Sequence, residues 1–219
     1  DKPRLDGYKA VAGNKRTIVK AGDKIPFAGT DVVVVSSEYS LLPRPVNGGG
    51  PNPLCANAAE MGPAAPENQR MVGLLLGFGK FKYLSLADLD WQKEMELTCP
   101  VNKVGQVNLY LVSRHGGLDD SGAPPFLGAI KPQVVVMNNG PRKGLGQTDD
   151  RAKPLQIPGK TSAPYERNSY LRLTKLPGIE GIWQDHLTMI DKDPAHNTQP
   201  DMIANLRSEE PRLNSSHGY

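Results

Sequence analysis

The chain reads as a layered α/β domain built on short strands, and three observations predict it. Apolar residues make up 38% of the 219, close enough to the globular norm for most of the chain to fold around a core. The 23 Gly and 20 Pro, with aromatics at only 6%, require many turns and long loops rather than a helical bundle, so helix should be the minority. The order strand, short helix, strand in the middle of the chain is the pattern of a layered α/β arrangement. The length suits one domain.

Taken in order, alternation and β-branched content predict strands at residues 16–20, 31–36, 71–78 and 81–86. Only Gly79-Lys80 separates the last two, a hairpin connection. A strand at 107–113 leads into Arg114-His115-Gly116-Gly117, a helix follows near 125–130, and the apolar run 133–137 reads as a buried strand. Residues 41–67, which include Gly48-Gly49-Gly50-Pro51-Asn52-Pro53, form a long loop. No Gly-Lys-Ser/Thr follows these glycines, so they do not make a phosphate loop. A second irregular region covers 140–168; residues 169–176 then read as a helix and 182–190 as a late strand. There is no internal repeat. Residues 207–219 are polar with no apolar periodicity to bury. Their Arg-Ser-Glu-Glu and Arg-Leu-Asn-Ser-Ser-His stretches are what two parts of a sequencing-library adapter encode, so the tail is read as non-native and outside the fold.

The 26 basic and 23 acidic residues leave a net charge of +3 scattered along the chain, too weak a bias to predict a nucleic-acid partner. No run of 18 apolar residues exists, so no membrane segment is expected, and the charged start Asp1-Lys2-Pro3-Arg4 is not a signal peptide. A start without Met suggests a non-native N-terminus. Cys55 and Cys99 can make one disulfide or none, and zinc-type Cys/His spacings are absent. Two readings stay open: ordinary thiols, or a disulfide in an exported or periplasmic parent.

Candidate chemistry begins at Leu84-Ser85-Leu86-Ala87-Asp88, where an apolar strand ends in a small residue and a carboxylate. A carboxylate there is expensive to desolvate without a cation or hydrogen bonds. The next strand ends in His115, followed by two glycines that let the backbone turn sharply. Imidazole and carboxylate are usual ligands of hydrolytic metal sites. The plain alternatives are a turn or cap role for the Asp and a structural role for the His.

The surrounding text tips this balance. Glu67-Asn68-Gln69-Arg70-Met71-Val72-Gly73, Ala87-Asp88-Leu89-Asp90-Trp91, Cys99-Pro100-Val101-Asn102-Lys103, Tyr110-Leu111-Val112-Ser113-Arg114-His115-Gly116-Gly117 and Met137-Asn138-Asn139-Gly140-Pro141-Arg142-Lys143-Gly144 together resemble one branch of the metallo-β-lactamase superfamily. That branch is similar to the hydrolase domains of DNA-uptake competence proteins, and the resemblance covers residues 16–206. It implies an αββα sandwich of two facing halves with metals at one edge. It further implies that Asp88 matches the carboxylate bridging two metals and His115 the last histidine ligand. Related sequences often carry His at the position of Arg114, a departure here.

A larger departure is that the His-x-His-x-Asp-His signature is missing: the histidines are His115, His186, His196 and His217. The resemblance therefore implies that residues 1–206 are the C-terminal portion of a truncated metallo-β-lactamase-like domain, its N-terminal half incomplete. The intact parent would be a hydrolase using two divalent metals, zinc first, on a small-molecule or phosphodiester substrate, and this fragment would be inactive. The alternative is a metal-free, non-catalytic interaction or binding module. Asp90 either supports Asp88 or caps the helix that begins at Trp91. Asn138 and Asn139 either orient a substrate or ligand, or form a turn. His186 lines the cleft or faces solvent, and His196 lies in a polar loop within reach of the metal edge.

Overall fold

The computed structural model describes residues 2–58, 66–117, 120–140, 144 and 169–186. Its strands are β1 (Lys24–Ile25), β2 (Asp31–Ser37), β3 (Ser40–Leu41), β4 (Gly73–Phe78), β5 (Phe81–Ser85), β6 (Leu109–Leu111), β7 (Val134–Met137) and β8 (Gly181–Gln184). They form one eight-stranded sheet in the order β1-β2-β4-β5-β6-β7-β8, with β3 on β2. Neighbours from β1 to β5 pair antiparallel. Those from β5 to β8 pair parallel. Parallel neighbours need crossovers, usually helical, and α3 (Trp91–Thr98), α4 (Pro124–Ile130) and α5 (Ser169–Thr174) fall in the three connections that require them. Two further helices, α1 (Lys2–Ala12) and α2 (Pro66–Gln69), bury no residue.

The pleat sorts side chains between two faces. Val33, Leu75, Leu84, Tyr110, Val135 and Ile182 are in register across the sheet, so they share a face. That face packs on Trp91 and Leu97 of α3, Phe126, Leu127 and Ile130 of α4, and Tyr170 and Leu173 of α5 to make one core. Tyr110 and Phe126 meet edge to face, with centroids 5.5 Å apart. On the other face, Leu74, Leu76, Tyr83, Leu109, Leu111, Val134 and Val136 are half-buried and Trp183 is exposed. The architecture is thus mixed α/β, with a single sheet among the described residues.

The long loop is anchored rather than loose. Asn52 Nδ2 donates to the carbonyls of Thr98 at 3.0 Å and Pro125 at 3.2 Å. Cys55 and Cys99 are bonded to each other across 44 residues, with Cα atoms 5.8 Å apart, which ties the loop to the end of α3. Of the two cysteine readings, pairing is the one observed.

Several sequence expectations need correction. Residues 16–20 form no strand: the Val19 carbonyl accepts from Ser37 Oγ at 2.9 Å, but no backbone ladder joins the segment to a neighbour and Ile18 is 91% exposed, because alternation without a buried face does not hold a strand. The expected strand at 107–113 shrinks to Leu109–Leu111, since the chain turns at Ser113. The late strand runs only over Gly181–Gln184, so His186 follows it rather than alternating within it. Helix α1 was not expected, because it has no apolar face to announce it. Most of the irregular 140–168 region, residues 187–190 of the expected strand, His196 and the 207–219 tail lie outside the described residues. No helix among the described residues is long and apolar enough to cross a membrane.

Candidate metal centre

Strands β5 and β6 are parallel neighbours, so the residues just past their carboxyl ends emerge side by side. Asp88 follows β5 and His115 follows β6, and His115 Nε2 lies 3.3 Å from Asp88 Oδ1. The backbone is bent to achieve this. Ala87, Arg114 and His115 all have positive φ, at 52°, 53° and 65°, a region that costs a non-glycine residue on the order of 1 kcal/mol or more and that clusters at functional sites. Arg114 N donates to Ala87 O at 3.2 Å, joining the two turns. Gly116 closes the turn at φ 67°, and a Cβ there would stand 2.6 Å from Met137 Sδ. Glycine is favoured there both by conformation and by space.

The hydrogen bonds define what this pair can do. His115 Nδ1 is 3.0 Å from the backbone oxygen of Asn138. A carbonyl only accepts, so Nδ1 carries the proton, and in the neutral ring Nε2 presents its lone pair. That lone pair faces a carboxylate oxygen. The two acceptors are compatible only with something positive between them, a proton on Nε2 or a cation. A separation of 3.3 Å suits an imidazolium–carboxylate pair as well as two ligands of one cation. Fixing one ring nitrogen on a carbonyl so that the other faces the metal is the usual support of a ligand histidine. Both side chains are partly open, Asp88 at 36% and His115 at 38%. The fit is partial: no group of three or more His, Cys, Asp or Glu able to hold a metal occurs among the described residues.

Arg114 is turned elsewhere. Its Nε bonds Asp120 Oδ2 at 2.6 Å, so it is His115, not the preceding position, that faces Asp88. Asp90 is buried as the cap of α3: Oδ1 accepts from Lys93 N and Oδ2 from Gln69 Nε2, each at 2.9 Å. Asn138 contributes its backbone oxygen to His115. Asn139 is buried and its Nδ2 donates to the His186 carbonyl at 2.8 Å, bracing the end of β7 against the end of β8. The exposed His186 thus enters through its backbone, and Asp185 beside it has its pKa raised by burial.

Sequence reasoning missed the polar cluster beneath the His115 turn. Glu94 on α3 is fully buried. Its Oε2 accepts from the amides of Gly122 at 2.6 Å and Ala123 at 3.1 Å, and its Oε1 from Tyr110 Oη at 3.2 Å. Tyr110 Oη lies 2.7 Å from Ser113 Oγ and accepts from Ser113 N at 3.0 Å. Arg172 on α5 donates to the carbonyls of Ser121 and Gly122 and lies over the Trp91 ring. Burial raises the Glu94 pKa to about 7, against the lowering pull of Ala123, Ser113, Gly122 and Arg172. Burial, then Glu94, pushes Tyr110 well above its ordinary value. A Glu inside a short amphipathic helix carries no sequence signal that sets it apart from a surface one.

No family model matches the chain, and no curated protein matches it. Among solved structures it is similar to a mutant of the CmlA beta-hydroxylase, at 15% identity over 55% of this chain and 25% of that one, with a TM-score of 0.28. The chain spans about a quarter of that structure's length, and so slight an overlap carries no inference about chemistry.

Proposed function

We propose that this chain is the C-terminal portion of a metallo-β-lactamase-like hydrolase, to which it contributes Asp88 and His115 as two ligands of a dinuclear centre, with zinc the first choice of metal. The observation that carries the reading is the convergence of His115 Nε2 and a carboxylate oxygen of Asp88 at 3.3 Å, with Nδ1 tied back to the Asn138 carbonyl. Two cations bound there would activate a shared water and polarise the scissile group. Within this chain, Asn138 orients the imidazole, and Asp120 keeps the Arg114 cation from competing for Asp88. The remaining ligands belong to another stretch of polypeptide, of the His-x-His-x-Asp-His type. A facing half would also cover the half-buried apolar face at Leu109, Leu111, Val134 and Val136. The resemblance favours a phosphodiester or small-molecule substrate. The Cys55–Cys99 bond supports an exported parent, since disulfides persist in oxidising compartments.

The test assays the chain with added zinc or manganese on generic phosphodiester, ester and lactam substrates, beside a longer polypeptide carrying the histidine motif. Activity should appear only in the longer protein and be lost in its Asp88→Ala and His115→Ala variants. Unchanged turnover in both variants would remove the pair from the metal centre. A longer protein with no activity and no metal would favour the non-catalytic module.

A further inference from the structure

The His115 turn rests on a buried chain of hydrogen bonds that nothing so far assigns a role. Ser113 begins the turn, and both its amide and its hydroxyl meet Tyr110 Oη, which in turn reaches Glu94. Ser121 Oγ donates to the Ser113 carbonyl at 2.9 Å, while Glu94 holds the amides of the next two residues, Gly122 and Ala123. The strand before the turn and the loop after it are therefore clamped to one carboxyl group. Three consecutive residues in left-handed conformation, Arg114, His115 and Gly116, relax to commoner conformations unless their surroundings hold them.

We infer that Glu94 is a positioning residue for His115: through Tyr110 and Ser113 it holds the strained turn that aims Nε2 at Asp88. The inference deepens the metal-centre reading and rests on it for its purpose. The groups facing Glu94 are Tyr110 from β6 and Arg172 from α5, with the Asp120–Arg114 ion pair at the far end of the 120–123 loop. A carboxylate accepts from every one of its donors. Once protonated it offers a hydrogen toward one of them, so the clamp loosens as Glu94 takes up its proton. The group changes state near neutral pH, and the turn should report it.

The experiment uses the full chain, free of metal, with nitrogen-15 labelling, comparing it with Glu94→Gln and Ser113→Ala by nuclear magnetic resonance. In the unaltered chain, neutral His115 should be held with its proton on Nδ1, and the Gly122 and Ala123 amides, bonded directly to Glu94, should titrate together with a midpoint of about 7. In Glu94→Gln that shared midpoint should vanish and the His115 tautomer become mixed. In Ser113→Ala the Ala123 amide should keep its midpoint while the His115 tautomer becomes mixed. Folded variants with the His115 tautomer unchanged would overturn the inference, and Ser113→Ala decides alone if Glu94→Gln does not fold. Because no metal is present, a failure of zinc binding at Asp88 would sink the metal-centre reading and leave this result standing.

Discussion

Asp88 and Glu94 are carboxylates six residues apart with opposite surroundings. Asp88 sits past the end of β5, a third exposed, its described partner an imidazole nitrogen at 3.3 Å. Glu94 has no exposure and accepts from Gly122, Ala123 and Tyr110. Water reaches the first, so it needs no full set of built-in donors. The second lies where water cannot reach, and only built-in donors make it tolerable. The contrast separates a group that solvent and a ligand can reach from one they cannot, though both stand in the same short stretch of sequence.

Removing the buried group should have the largest effect. Glu94→Ala leaves two amides and a phenol without an acceptor and should destabilise the chain by roughly 3–5 kcal/mol. Asp88→Ala should cost less than about 1 kcal/mol. Urea midpoints measure both, and equal losses would erase the distinction. The rigidity of the buried region also depends on its tether to α3. Replacing Cys55 and Cys99 by Ser frees a loop of 44 residues, worth up to about 4 kcal/mol in the chain-entropy model. A loss far smaller than that would mean Asn52 holds the loop alone.

Titration tests the same contrast more gently. Glu94 is raised in the fold from 4.5 to about 7, so between those values the native state binds a proton that the unfolded chain has released. Its stabilisation is complete below pH 4.5, declines as pH rises toward 7, and is level beyond, a swing on the order of 3 kcal/mol at most. Unfolding midpoints measured across this window should fall, and Glu94→Gln should flatten the fall. A slope unchanged by that substitution would place the titrating group elsewhere. The smallest effects on stability belong to the open edge. His115→Ala and Asp88→Ala should abolish whatever weak zinc binding calorimetry detects in the chain, while Arg114→Ala, whose side chain is committed to Asp120, should leave it in place.

Much of the sheet is legible in the sequence. The Gly79-Lys80 hairpin, a strand at 31–36 and the strand, helix, strand order around 125–130 follow from periodicity and turn residues, and the structure has them at Asp31–Ser37 and Pro124–Ile130, because those signals are local. The failures were also physical. Residues 16–20 have strand-like composition but touch β2 through Ser37 Oγ, with no backbone pairing, and α1 carries no apolar stripe. Asp88 and His115 stand out through the text around them more than through their places after apolar strands, and the capping role that the sequence favours for Asp90 is the one its bond from Lys93 N shows.

What the sequence determined by itself was the identity of the polar groups at strand ends and the glycines behind them, since a carboxylate, an imidazole and a turn are properties of short segments. Only the tertiary structure decided that Asp88 and His115 meet, that Cys55 joins Cys99, and that Glu94 lies in the core. Each of these depends on which strands lie side by side and which helix covers them. Contacts between segments 27, 44 or 28 residues apart are set by the packing of the whole sheet, which no local pattern encodes.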